Sequence, residues 1–172
     1  PEIDAVVIDP EGTVGEIIEI NDIRIALPKK PIKAEIDWGK RFKQDQFWRR
    51  QAPPKDLTVR TAKRHEDYID SEYMKKRNGY WFMNNGVATY ITGAHWFMMT
   101  HCYTGADGGY YYYSAAQRKL FLFLEAMYRD NRCLGIILEK IRRFGATDCI
   151  MAFIRVTSSR RRDRRRRSWT WR

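Results

Sequence analysis

One stretch constrains this chain more than any other, Cys133 to Phe153, CLGIILEKIRRFGATDCIMAF. Cys133-Leu134-Gly135-Ile136-Ile137-Leu138 is too continuously apolar for a strand with one wet face, and predicts a parallel strand covered on both faces. Glu139 to Gly145 then breaks the apolar pattern with a basic turn. From Ala146 onward Ile150, Met151, Phe153 and Ile154 recur at helical spacing, with Ala146 or Thr147 near the helix start. A strand, a tight turn and a helix N-terminus in succession can hold an anion, because unpaired amides and the helix dipole converge there.

The turn reads K-x-R-R-x-G-x-T, carried by Lys140, Arg142, Arg143, Gly145 and Thr147. It does not meet the phosphate-loop pattern G-x-x-x-x-G-K-[ST], since Ala146 follows the glycine and the lysine stands five residues ahead of it. The displaced arrangement resembles the deviant Walker A motif of phage large terminase subunits, the motors that pump DNA into a procapsid. The resemblance implies ATP and Mg²⁺ as cofactors. Lys140 would reach back to the β- and γ-phosphates, with Arg142 and Arg143 neutralising charge. Gly145 and Ala146 would let the backbone come close, and the Thr147 hydroxyl would join the Mg²⁺ shell. Taken alone, the residues leave a second reading open, a solvated basic turn between strand and helix.

A second phrase lies upstream in the expected order. Tyr90-Ile91-Thr92-Gly93-Ala94-His95-Trp96-Phe97 resembles the segment that precedes the ATPase in one group of terminase large subunits. Physically, Thr92 or Gly93 can cap a short helix whose Trp96, Phe97 and Met98 pack under the next element. His95 reads as a hydrogen-bonded structural histidine, since no nucleophile stands near it. Ser114-x-x-Gln117 forms a capping box, a sufficient structural reason for Gln117. The resemblance adds another role, a glutamine that reads adenine 23 residues before Lys140, with the tyrosines of Gly105 to Tyr113 available to stack on the base.

The predicted fold class is α/β. An N-terminal adaptor of short strands and helices leads into the first strand–P-loop–helix of a RecA-like P-loop NTPase, truncated. Residues 1–60 form an N-terminal arm with short strands near Ala5 to Ile8, Glu16 to Ile20 and Ile23 to Leu27. Its Trp38 to Arg50 stretch interleaves rings and cations, which either stack on nucleic acid or form an amphipathic segment with snorkelling basic ends. Residues 61–113 hold a helix from Thr61 to Arg77, with Tyr68, Ile69, Glu72, Tyr73 and Lys76 on one stripe. A hairpin follows, Tyr80 to Met83 and Ala88 to Thr92 about Asn84-Asn85-Gly86. Residues 114–154 start the ATPase domain, with a helix from Ala115 to Asp130 burying Leu120, Phe121 and Leu124.

Residues 155–172 are an Arg-rich tail. The net charge of +11 resides mostly there, as nine arginines and one aspartate, while the rest of the chain carries only +3. Arginine makes up half of this tail and lysine none, which predicts a segment that is disordered when free or read out of frame. The helix is expected to lose its apolar face after Ile154. Cys102, Cys133 and Cys149 are odd in number and widely spaced, and read as reduced, buried thiols. No apolar run approaches the length of a membrane span.

After Asp148 the one acid is Asp163, so the carboxylates of a Walker B strand and of a nuclease are missing. No catalytic residue is assigned, and the chain, which opens on Pro1, is expected to be a fragment without ATP turnover. The resemblance implies double-stranded DNA, a viral portal and a small terminase subunit as partners, a homo-oligomeric ring, and the host cytoplasm as location. Competing expectations are a small basic nucleic-acid-binding protein acting through its tail, and an inert truncated product.

Overall fold

The computed structural model describes residues 4–32, 53–84, 86–104, 109–139 and 145–168. Trp38 to Arg50, and with it the choice between stacking and snorkelling, lies outside the described residues. Isoleucine-rich runs at the N-terminus form a three-stranded sheet of β1 (Val6–Val7), β2 (Ile17–Ile20) and β3 (Ile23–Ala26), in the order β1-β3-β2. β1 runs parallel to β3 and β2 antiparallel to it, with Ile18 opposite Ile25. Asn21 and Asp22 turn the β2–β3 hairpin with φ of 48° and 61°, a conformation that short polar side chains tolerate.

A single 3₁₀ turn, Ala62–His65, opens into α1 (Glu66–Asn78). The hairpin of β4 (Tyr80–Asn84) and β5 (Val87–Ile91) follows in the expected place, with Tyr80 opposite Ile91. Next come α2 (Gly93–His101), the two-residue strands β6 (Tyr103–Thr104) and β7 (Gly109–Tyr110), α3 (Ala115–Arg129) and α4 (Ala146–Ser168). The protein is therefore mixed α and β, with four α-helices and three small sheets among the described residues.

Short α2 is the axis of the packing. The Thr92 hydroxyl caps it, accepting from the His95 amide at 3.3 Å, as the Thr92-Gly93 sequence suggested. Six of its nine residues besides Gly93 are buried, so it is apolar all round and must be covered on every side. Ala94 and Met98 meet Leu120, Phe121 and Leu124 of α3 and Cys149, Ala152 and Phe153 of α4. Trp96 and Met99 face Phe82 and Ile91 of the hairpin. The N-terminal sheet packs separately, Ile8, Ile25 and Leu27 against Tyr90, Leu122 and Ala126. Gly93 is where α1 and α2 touch: a Cβ there would stand 1.9 Å from the Lys76 carbonyl oxygen, so no larger residue fits.

Four expectations are corrected. No strand forms over Cys133–Leu138; no described strand lies beside it, and Leu134 and Ile137 are fully exposed. The Ser114 capping box does not form, because the Ser114 side chain makes no cap hydrogen bond and α3 begins with the Arg118 amide on the Ser114 carbonyl. Of the three thiols, all unpaired, Cys149 alone is buried, and Cys102 and Cys133 are half-buried. Finally, the apolar face of α4 does not stop at Ile154. Val156 is buried against Met98 and Phe121, Thr157 turns its hydroxyl back onto the Phe153 carbonyl at 2.9 Å, and the helix runs on to Ser168.

Arg160 explains why the helix stays docked beyond that point. Its Nη1 donates to both oxygens of buried Glu125 on α3, at 2.7 and 3.1 Å, while Nε and Nη2 donate to the Lys76 carbonyl of α1 at 3.2 and 2.6 Å. Arg129 holds the same carboxylate at 2.9 Å, so Glu125 is fully compensated. Arg160→Ala is expected to cost about 1–3 kcal/mol by urea unfolding, since a buried carboxylate loses one of two cations and a helix end loses its donors. Arg155→Ala, at an exposed position of the same helix, is expected to stay within about 0.5 kcal/mol.

Candidate functional site

Two places gather chemistry. The first is the junction of α3 with the N-terminus of α4. Gly145 precedes the helix with φ of 74°, a left-handed conformation that favours glycine, and its carbonyl accepts the Cys149 amide at 3.2 Å to start the helical ladder. Ala146 is buried, whereas Thr147 and Asp148 stand exposed on the first turn. A Cβ built on Gly145 would lie 3.5 Å from Gln117 Nε2 and 4.0 Å from Asp148 Oδ2. The chain thus brings Gln117 and Gly145 together across 28 positions. Gln117 Oε1 is buried and has no hydrogen-bond partner among the described residues, an acceptor left open beside the helix start.

The remaining residues of this group are Lys140, Arg142 and Arg143, which lie outside the described residues. Tyr111 closes another side, its hydroxyl bonded to Asp148; burial and that carboxylate push the phenol up to about 12. Burial, then Asp148, pushes the Cys149 thiol up to about 11, which keeps it an unreactive core thiol. The amides of the first turn favour an anion, and Asp148 already supplies one negative charge there.

The second place is a cleft of about 750 Å³ walled by α1, α4 and the Pro10 and Pro53 regions. Its floor is Glu72, buried although charged, which accepts from Trp96 Nε1 at 2.7 Å and pairs with Lys75 at 3.1 Å. His101 Nε2 stands 3.7 Å from the same carboxylate, and its Nδ1 meets the Thr100 hydroxyl at 2.7 Å. That hydroxyl donates to the Trp96 carbonyl at 2.8 Å, so Nδ1 carries the proton and Nε2 is the bare nitrogen. Burial, followed by Lys76 and Lys75, holds His101 down at about 4, and it is neutral at physiological pH. Lys76 lies 5.1 Å over the Phe97 ring, and burial pulls it below the ordinary lysine value.

No family model, curated protein or solved structure matches the chain. Functional assignment therefore rests on the residues themselves. Among the described residues no group of three or more His, Cys, Asp or Glu side chains could hold a metal ion, and no helix is long and apolar enough to cross a membrane. The cleft was not legible from motifs. Its one sequence signal was Glu72 on an otherwise ring-bearing stripe, and its cations come from helix ends far apart in the chain.

His95 differs from expectation. It lies flat between Tyr113 and Phe121, with ring centroids 5.8 and 4.8 Å away, and neither ring nitrogen has a hydrogen-bond partner among the described residues. A stacked sandwich, rather than a hydrogen bond, holds it. Burial and then Arg118 lower its pKa to about 3, so the folded protein keeps it neutral while the unfolded chain binds a proton near the ordinary value. Stability is then complete above about pH 6.5 and falls as the pH drops toward 3, since the unfolded state binds more protons in that window. Urea midpoints measured at neutral pH and at mildly acidic pH are expected to drop for the native chain. His95→Phe, which keeps the stacked ring, is expected to make that dependence shallower and leave the part contributed by His101, which burial also holds down.

Proposed function

We propose that this chain is the front part of an ATP-driven DNA-packaging motor subunit of the phage large terminase kind, with its nucleotide at the α3–α4 junction. One observation carries the reading: Gln117, the residue singled out as an adenine reader, has its amide against Gly145 at the start of α4. Its orphaned Oε1 fits a ligand with an amino group to donate, which is what the edge of adenine presents. The glycine leaves the close approach a phosphate requires, and the first turn of α4 points unpaired amides toward it.

Under this reading Lys140, Arg142 and Arg143 supply the cationic arc around the triphosphate, and Ala146 contributes its backbone. Thr147 and Asp148 offer two oxygens at the helix start for Mg²⁺, which neutralises phosphate charge when bound. Double-stranded DNA, a portal, a small terminase subunit and a homo-oligomeric ring in the host cytoplasm belong to the same proposal.

Nucleotide binding tests it. In titrations of the chain with ATP and GTP, Lys140→Ala is expected to weaken both about tenfold or more, because a charge-assisted contact to phosphate is removed. Gln117→Ala is expected to weaken ATP while leaving GTP within about twofold, since one base-specific hydrogen bond is lost. Equal affinity of the parent and both variants for ATP would overturn the assignment.

A further inference from the structure

The cleft between α1 and α4 carries more positive than negative charge among the described residues. Five cations belong to its wall or to the bonds beneath it, Lys75, Lys76, Arg77, Arg129 and Arg160, against two carboxylates, Glu72 and Glu125. Lys75 satisfies Glu72, and Arg160 and Arg129 share Glu125, which leaves an excess of three positive charges. Arg77 forms no hydrogen bond or ion pair with any described residue. Beside these cations the wall is apolar and aromatic, with Ile69 and Tyr73 each more than a third exposed.

We propose that this cleft binds single-stranded nucleic acid, with a base on the Tyr73 ring and a backbone phosphate on Arg77. A volume of about 750 Å³ suits nucleotide-sized groups. Cations beside an accessible ring are what an unpaired strand requires, since every base offers a face to stack and every linkage a charge to neutralise. A duplex is refused, because its base faces are covered by their neighbours. The helix that supplies Ser159 and Arg160 to the wall continues to Ser168. An acidic peptide would match the cations equally well but gives the exposed tyrosine no stacking partner. Glu72 and His101 sit at the floor as neutral or compensated groups and do not repel the strand.

The inference is independent of the nucleotide site and fails or stands separately. The experiment uses the full chain and a fluorescent oligothymidylate of about fifteen nucleotides, within the span of ordinary strand-binding sites, read by anisotropy across a salt series. Tyr73→Ala changes no charge and is expected to lower affinity about five- to tenfold at an unchanged salt slope, with Tyr73→Phe restoring it. Arg77→Ala is expected to flatten the slope of log affinity against log salt by roughly 0.7, the share of one phosphate contact on a single strand. Lys140→Ala is expected to bind the oligonucleotide as the parent does. A bromouracil-substituted strand is expected to photocrosslink within Tyr68–Arg77. Parent-like binding by both the Tyr73→Ala and Arg77→Ala chains would overturn the proposal, as would equal competition by duplex DNA or crosslinks confined to residues beyond Arg160. Each of those outcomes assigns binding to the arginine run alone.

Discussion

The bridge made by Arg160 is the contact on which the arrangement of helices depends. A guanidinium presents its donors in one rigid plane, and here that plane is divided between the Glu125 carboxylate and the carbonyl of Lys76. Three helices that are distant in sequence are fixed by a single side chain. The same Lys76 carbonyl lies against Gly93, so the start of α2 is set from the same point. Replacing Arg160 by lysine would keep a charge and lose the fork, and with it one of the two partners.

Around that point the molecule divides its buried polar groups into two kinds. Glu72 and Glu125 are each held by two or more donors and behave as struts. His95 and the Gln117 carbonyl are buried atoms with nothing to bond among the described residues. The histidine is compensated by the two rings that stack on it, and its neutrality follows from burial. The glutamine has no such compensation among the described residues, and it stands beside Gly145 at the start of α4.

Local chemistry was legible wherever the chain folds on itself at short range. The pairing of β4 with β5, the Thr92 cap and the apolar stripe of α3 all follow from residues within a few positions of one another. What the sequence hid depends on partners far away. Cys133–Leu138 has the composition of a covered strand, but composition cannot supply the neighbours that a parallel strand must pair with. Ser114 and Gln117 have the right spacing for a cap, yet the Gln117 amide sits beside a glycine that no local pattern connects to it. The tail showed the same blindness in reverse: a run of arginines looks like solvated charge, and its first member after Ser159 is among the most engaged side chains in the protein. Among the predicted site residues, the fold brings Gln117 against Gly145, with Ala146 and Thr147 next along the chain, while Lys140, Arg142 and Arg143 lie outside the described residues.

Engaging Arg160 so far from its partners has a kinetic side. The bond to Lys76 closes a loop of 84 residues, and that to Glu125 one of 35. A nascent chain cannot make either until Arg160 has left the ribosome, whereas the hairpin can already settle on α2. Closing loops of this length comes late and costs entropy before any contact rewards it. The order of assembly is then written into the chain: local turns and caps first, the clasp between α1, α3 and α4 last.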